Sequence, residues 1–306
     1  MRRWLAIVRA TLLEVSSEPL ALLLTVSAVI AVAFASVFHI HQFGGADATR
    51  MARDASFSAL LVAGLLHAVF CTIKVFRREF ETGTLAMALS HPVSRPAFFL
   101  SKVLGAFLAY MVFAVTMFGA AVTTVAGAKI GGIIAVERGE LAFIWGPSLA
   151  VDAAIVVLPL VVPAVLNRFA GFRFAATATW TALAVSVAGT ALGLFGAVAA
   201  GFGRAILAVP GWLAPAAVML VMPAAVFVTA SAAFAVRFKD NAAATLSGLL
   251  FAVALPAFGN YYLSSALSKG GTVPWGYVLL ALLATAPFVA AFALLGIHLF
   301  NERDVA

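Results

Sequence analysis

The chain has 306 residues, 64% of them apolar, with only 19 basic and 12 acidic side chains. About a quarter of a soluble domain is charged; 10% excludes a soluble enzyme, a nucleic-acid-binding module and a disordered protein. The net charge of +7 reads as the Lys and Arg excess of cytoplasmic loops, not as a nucleic-acid footprint.

Stretches free of Asp, Glu, Lys and Arg run 19–46, 55–73, 103–128, 174–203, 205–236, 241–268 and 270–301, and an eighth, 141–167, is broken only by Asp152. Each reaches or approaches the roughly 20 apolar residues that cross ~30 Å of hydrocarbon as a helix. The expected fold is all-α, a polytopic membrane bundle forming one domain over 1–306.

In chain order, residues 1–18 read as an amphipathic helix. Trp4, Ile7, Val8, Thr11, Leu12 and Val15 share one arc, and Arg2, Arg3, Arg9 and Glu14 take the other. Such a helix lies in the headgroup plane. The stretch lacks the apolar core and small-residue cleavage site of a secretory leader. Pro19 turns the chain into a first span, about 20–39. The second takes about 54–75 and the third about 98–126, with a polar segment, 76–97, between them. Five more follow at about 141–166, 174–199, 212–236, 243–265 and 276–299. Asp152, Pro159 and Pro163 make the fourth irregular. If only one helix of the pair within 141–200 crossed, Arg237 and Lys239 would fall outside, so both cross or neither does. Eight spans are favoured over six with a re-entrant or outer-face hairpin. Thirteen Lys and Arg then share the side of both termini against six opposite, which puts the termini in the cytoplasm.

The most informative stretch is Arg77-Arg78-Glu79-Phe80-Glu81-Thr82-Gly83-Thr84-Leu85, continuing through Leu89-Ser90 to Pro92-Val93-Ser94-Arg95. It reads as a short helix with Arg77 and Glu81 four apart, a Gly-Thr break, then a turn or two that Pro92 stops. Leu85, Ala88 and Leu89 form an apolar face on a cytoplasmic loop, and such a face needs a lipid or protein partner.

The pattern Glu79, Glu81, Gly83-Thr84-Leu85, Leu89-Ser90, Pro92-Val93-Ser94-Arg95, then Lys102 and Gly105, closely resembles the permeases of type-2 ATP-binding-cassette exporters. The interfacial N-terminal helix, the turn 234–241 and the segment 300–304 are similar to that family as well. The resemblance covers 1–126 and 212–306, and departs at 127–211, where 141–200 is expected as an inserted helical hairpin. It implies that Arg78, Glu79, Glu81, Gly83, Thr84, Leu85, Leu89, Pro92, Val93, Ser94 and Arg95 dock against an ATPase. It further implies a cytoplasmic ATPase dimer that holds ATP and Mg, a second permease copy, identical or paralogous, and a bacterial plasma membrane. The chain has no Gly-x-x-x-x-Gly-Lys-Ser/Thr phosphate loop, so no cofactor is expected on it and no catalytic residue.

Other residues stand apart from that pattern. Asp152 is the only acid deep in a predicted span and a candidate for a translocation path, unless the fourth span starts later and leaves it in water. Gly189, Gly193, Ala197 and Gly201 recur every four residues, a ladder suited to close helix packing. His67 and Cys71, or His39 and His41, supply two ligands each, too few for a metal site. Walls of Ala, Val, Leu and Phe suit a lipophilic or amphipathic cargo. The alternative reading is an ATP-independent carrier or channel, which would need a ring of intramembrane polar groups. A membrane-embedded enzyme would need clustered nucleophile or acid–base motifs, and none is visible.

Overall fold

A computed structural model of the chain describes residues 2–38, 45–82, 93–130, 134–137, 140–143, 147–199, 204–238, 240, 242, 244–249 and 273–302. The chain is a polytopic helical bundle. Helix α1 (Arg2–Ser16) and α2 (Pro19–Phe38) are bent by 60° at their junction. Pro19 sits at the first position of α2, where its missing N–H is no loss. Ser16 and Ser17 close α1 by donating their hydroxyls to Leu12 O and Glu14 O.

Helices α3 (Gly45–Thr82) and α4 (Arg95–Ile130) are longer than a bilayer requires. The short helix expected at 77–82 is no separate element, for α3 runs through it unbroken. Nothing in Lys74–Thr82 breaks a helix, and the pair Arg77–Glu81, 3.4 Å, spans one turn of it.

After α4 the helical bundle carries a short hairpin in a connection. Strands β1 (Ile134–Glu137) and β2 (Glu140–Phe143) pair antiparallel, with Ile134 opposite Phe143 and Glu137 opposite Glu140. β-Branched Ile134 and Val136 favour extended backbone here. The fourth span therefore starts at Pro147, not at 141. Helix α5 (Pro147–Ala170) and α6 (Phe174–Ala199) follow, joined at Gly171, whose φ of 67° suits only glycine comfortably. A 3-10 turn (Arg204–Ala208), α7 (Val209–Arg237) and α8 (Trp275–Glu302) complete the described elements. Among the described residues six helices are long and apolar enough to cross a membrane, or seven if the bent α1–α2 pair counts as one span. Most of the span expected at 243–265 lies outside the described residues.

The residues cluster into two compact units. The first takes 1–21, 64–111 and 218–306; the second takes 22–63 and 112–217. In the first, Val15, Ala21, Cys71, Val75 and Ala109 form a buried apolar cluster with Leu12 against it. Gly105 lets α4 approach α1 closely. A Cβ there would lie 2.6 Å from Thr11 Cβ and 2.8 Å from Val8 O. In the second unit α5 and α6 pack along each other, Val151 lying against Gly189 and Gly193.

Candidate functional site

Both flanks of the segment 83–92 are held in the first unit by a charged clamp. On α3, Lys74 and Arg78 are one turn apart and point to the α1–α2 junction. Lys74 Nζ pairs with Glu18 Oε2, and Arg78 Nη1 lies 3.7 Å from Glu18 Oε1 and 3.9 Å from Glu14 Oε1. Glu18 is 5% exposed, so its carboxylate is satisfied by two cations and little water. Burial also lifts the Glu14 carboxyl above its ordinary value, against the pull of Lys102.

The deepest member is Lys102 on α4, 2% exposed. Its ammonium donates to Glu79 Oε1 at 2.6 Å and to Val75 O at 3.3 Å. The rings of Phe76 and Phe98 face it at 5.6 and 5.9 Å. A buried ammonium needs a partner charge and filled donor positions. Here a carboxylate, a carbonyl and two ring faces meet that need.

An aromatic half completes the clamp. Phe300 of α8 lies against Phe80, Phe98 and Phe99, with ring centroids 6.4, 6.0 and 6.1 Å away. Gly296, one turn earlier, leaves room for Phe99, which any Cβ there would strike. Two arginines cap the carbonyl ends of other helices: Arg77 donates to Phe238 O at 3.2 Å and Arg95 to Asn301 O at 2.9 Å. Elements separated in sequence thus converge on the last turns of α3 and the first turns of α4.

Among the residues singled out in the sequence, Arg78, Glu79 and Arg95 are in this clamp. Glu81 pairs with Arg77, and Val93 and Ser94 lead into α4. Gly83, Thr84, Leu85, Leu89 and Pro92 lie outside the described residues, as do His39, His41, Gly201, Lys239, Arg303 and Asp304. The sequence reading missed Glu14, Glu18 and Lys74. Their signal was present as two i,i+4 pairs of opposite sign, Glu14/Glu18 before the first span and Lys74/Arg78 at the end of the second.

The second unit holds Asp152. It is 0% exposed and lies in the second turn of α5, so it is not in water at the helix mouth. Thr123 Oγ1 and Thr124 Oγ1, consecutive on α4, sit 2.8 and 2.9 Å from its two oxygens. Lower on the same stripe, Ser186 Oγ donates to Thr116 O at 2.8 Å and Thr190 Oγ1 to Gly119 O at 3.2 Å. Any Cβ at Gly119 would strike Ser186. The stripe is a hydroxyl-lined seam that fixes the α5–α6 hairpin on α4. Gly189 and Gly193 face Val151, and Ala197 is buried. His67 and Cys71 are buried in the first unit, where the His67 ring meets the edge of Tyr110. Among the described residues no three His, Cys, Asp or Glu side chains gather to hold a metal.

Compared with known protein families, residues 17–181 match the family described as ABC-2 family transporter protein, over more than half of the chain. Among curated proteins and among solved structures, nothing matches.

Proposed function

The chain belongs to the ABC-2 transporter family, and on that premise we propose that it is the membrane-spanning permease subunit of an ATP-driven exporter. It is a multi-pass membrane protein that couples hydrolysis on separate cytoplasmic ATPase subunits to movement of cargo. The observation that carries this reading is the clamp. It braces the two helices that enter and leave segment 83–92, through Lys102–Glu79 on one side and Glu18 with Lys74 and Arg78 on the other. A push on that segment is then delivered to α1, α3, α4 and α8 together instead of being lost in a loose loop. Coupling of this kind needs a rigid lever and an element with two arrangements.

In this reading Arg78, Glu79, Glu81, Gly83, Thr84, Leu85, Leu89, Pro92, Val93, Ser94 and Arg95 form the ATPase-facing lever. ATP and Mg stay on the partner, two permease copies meet two ATPases, and both termini face the cytoplasm of a bacterial plasma membrane. The cargo is lipophilic or amphipathic, because the walls are apolar, and Asp152 contributes a polar position to its path.

The test is co-expression of the tagged chain with its neighbouring ATPase gene, purification in detergent, and measurement of co-elution and ATP hydrolysis. The parent chain is expected to hold a stable, hydrolysing complex, and the Glu79→Ala, Leu85→Asp variant to lose or uncouple it. Absence of a co-eluting ATPase, with parent and variant alike, would overturn the coupling assignment and put the ATP-independent carrier in its place.

A further inference from the structure

We infer that the turn joining α5 to α6 is a binding site for anionic phospholipid in the cytoplasmic leaflet. The seam of Asp152, Ser186 and Thr190 ties only one end of this hairpin to α4. From Ala164 to Phe174 every residue but Leu166 is exposed, so among the described residues the other end of the hairpin is uncovered. That free end is not bland. Arg168 and Arg173 stand on either side of the turn, both exposed. From residue 153 to 239 the sequence contains no Asp or Glu, and among the described residues no carboxylate pairs with either arginine. Between them Phe169 is 86% and Phe172 54% exposed.

The turn is also preformed. Asn167 Nδ2 donates to Phe172 O at 2.7 Å, Gly171 N to Asn167 O at 3.2 Å, and Gly171 takes the left-handed conformation the bend requires. Two exposed arginines flanking two exposed phenylalanines match a ligand with an anionic headgroup and acyl chains. Guanidinium forks suit phosphate oxygens, and each basic residue near an anionic leaflet strengthens attraction to it. A free phosphate would use the arginines and leave the rings in water. A second copy docked by two-fold symmetry at this end would set arginine against arginine.

The inference rests on the orientation proposed above, not on the ATPase reading, and the test separates the two. The purified full chain is studied in mixed micelles of phosphatidylglycerol and phosphatidylcholine by native mass spectrometry, counting retained lipids. The parent is expected to retain phosphatidylglycerol preferentially. Arg168→Ser with Arg173→Ser should weaken that preference about fivefold per arginine, and Arg168→Lys with Arg173→Lys should restore most of it. Phe169→Ser should weaken retention with the charges intact. Equal loss from Arg2→Ser with Arg3→Ser would reduce the effect to overall charge and overturn the site. So would an unchanged preference in the serine variant, or full competition by inorganic phosphate. In a Cys71→Ala background, Ala170→Cys should react with a membrane-impermeant maleimide from the cytoplasmic side only. Reaction from the other side overturns the orientation whatever the lipid result.

Discussion

Lys102 and Glu79 are unequal partners, and the inequality is measurable. Glu79 is partly exposed and could hydrate if its partner were lost, whereas Lys102 is sealed in. Removing the partner of a buried charge costs about 3–5 kcal/mol. Glu79→Leu should therefore lower the thermal midpoint of the purified chain markedly, and Lys102→Met by clearly less. Equal shifts would mean that the ammonium has access to water. Glu14 offers a pH test. Its folded-state pKa is raised by burial, so the folded chain binds that proton more tightly than the unfolded one. The contribution of this group is full at acid pH and is lost as pH rises from the ordinary carboxyl value through the raised folded-state one. Glu14→Gln should accordingly be stabilising at neutral pH and neutral in effect at acid pH, read from thermal midpoints across a pH series.

Among the elements, the α5–α6 hairpin is the one whose attachment is most local. Thr123 and Thr124 meet the two oxygens of one carboxylate, so an amide of the same shape keeps both contacts, while an apolar group takes the partner of Thr124 and leaves Thr123 its backbone acceptor Ala120 O. Asp152→Asn should keep stability within about 1 kcal/mol, and Asp152→Leu should lose about 1–3 kcal/mol, measured on the purified chain. Transport lost in Asp152→Asn at unchanged stability would assign the charge to the cargo path. The helices themselves were legible in the sequence because bilayer thickness imposes a length that charge-free runs record directly. The β1–β2 pair was not, since four-residue strands leave too short a pattern to separate from a loop. Nor was the continuity of α3 through residues 76–82, because the charges from Lys74 to Glu81 mark the end of an apolar span and not the end of a helix. Asp152 was recognisable as unusual, but the hydroxyls that hold it lie on another helix, and one-dimensional spacing cannot register them.

For the whole molecule, the proposed orientation rests on the distribution of thirteen against six basic residues, a property of the chain and not of any one contact. Single cysteines placed at Arg50 and at Glu81, in a Cys71→Ala background, should be labelled by an impermeant maleimide from opposite faces of the membrane. Labelling of both from the same face would invalidate the charge argument and, with it, the placing of the clamp beside the cytoplasm. The clamp could be recognised only in part for the same reason of scale. Glu79, Arg95 and Lys102 announced themselves through a motif, whereas Glu18 and Phe300 acquire meaning only when distant helices come together.

That convergence also fixes an order of assembly. Glu14, Glu18, Lys74, Arg78, Glu79 and Lys102 all lie in the first third of the chain and can pair while later helices are still on the ribosome. The remaining ties reach across 161 residues from Arg77 to Phe238 and across 206 from Arg95 to Asn301, and Phe300 arrives with the latter. A nascent chain stalled before α8 would carry a finished electrostatic half and a bare shelf of Phe80, Phe98 and Phe99. The arrival of Phe300 is what covers that shelf and closes the aromatic half of the clamp.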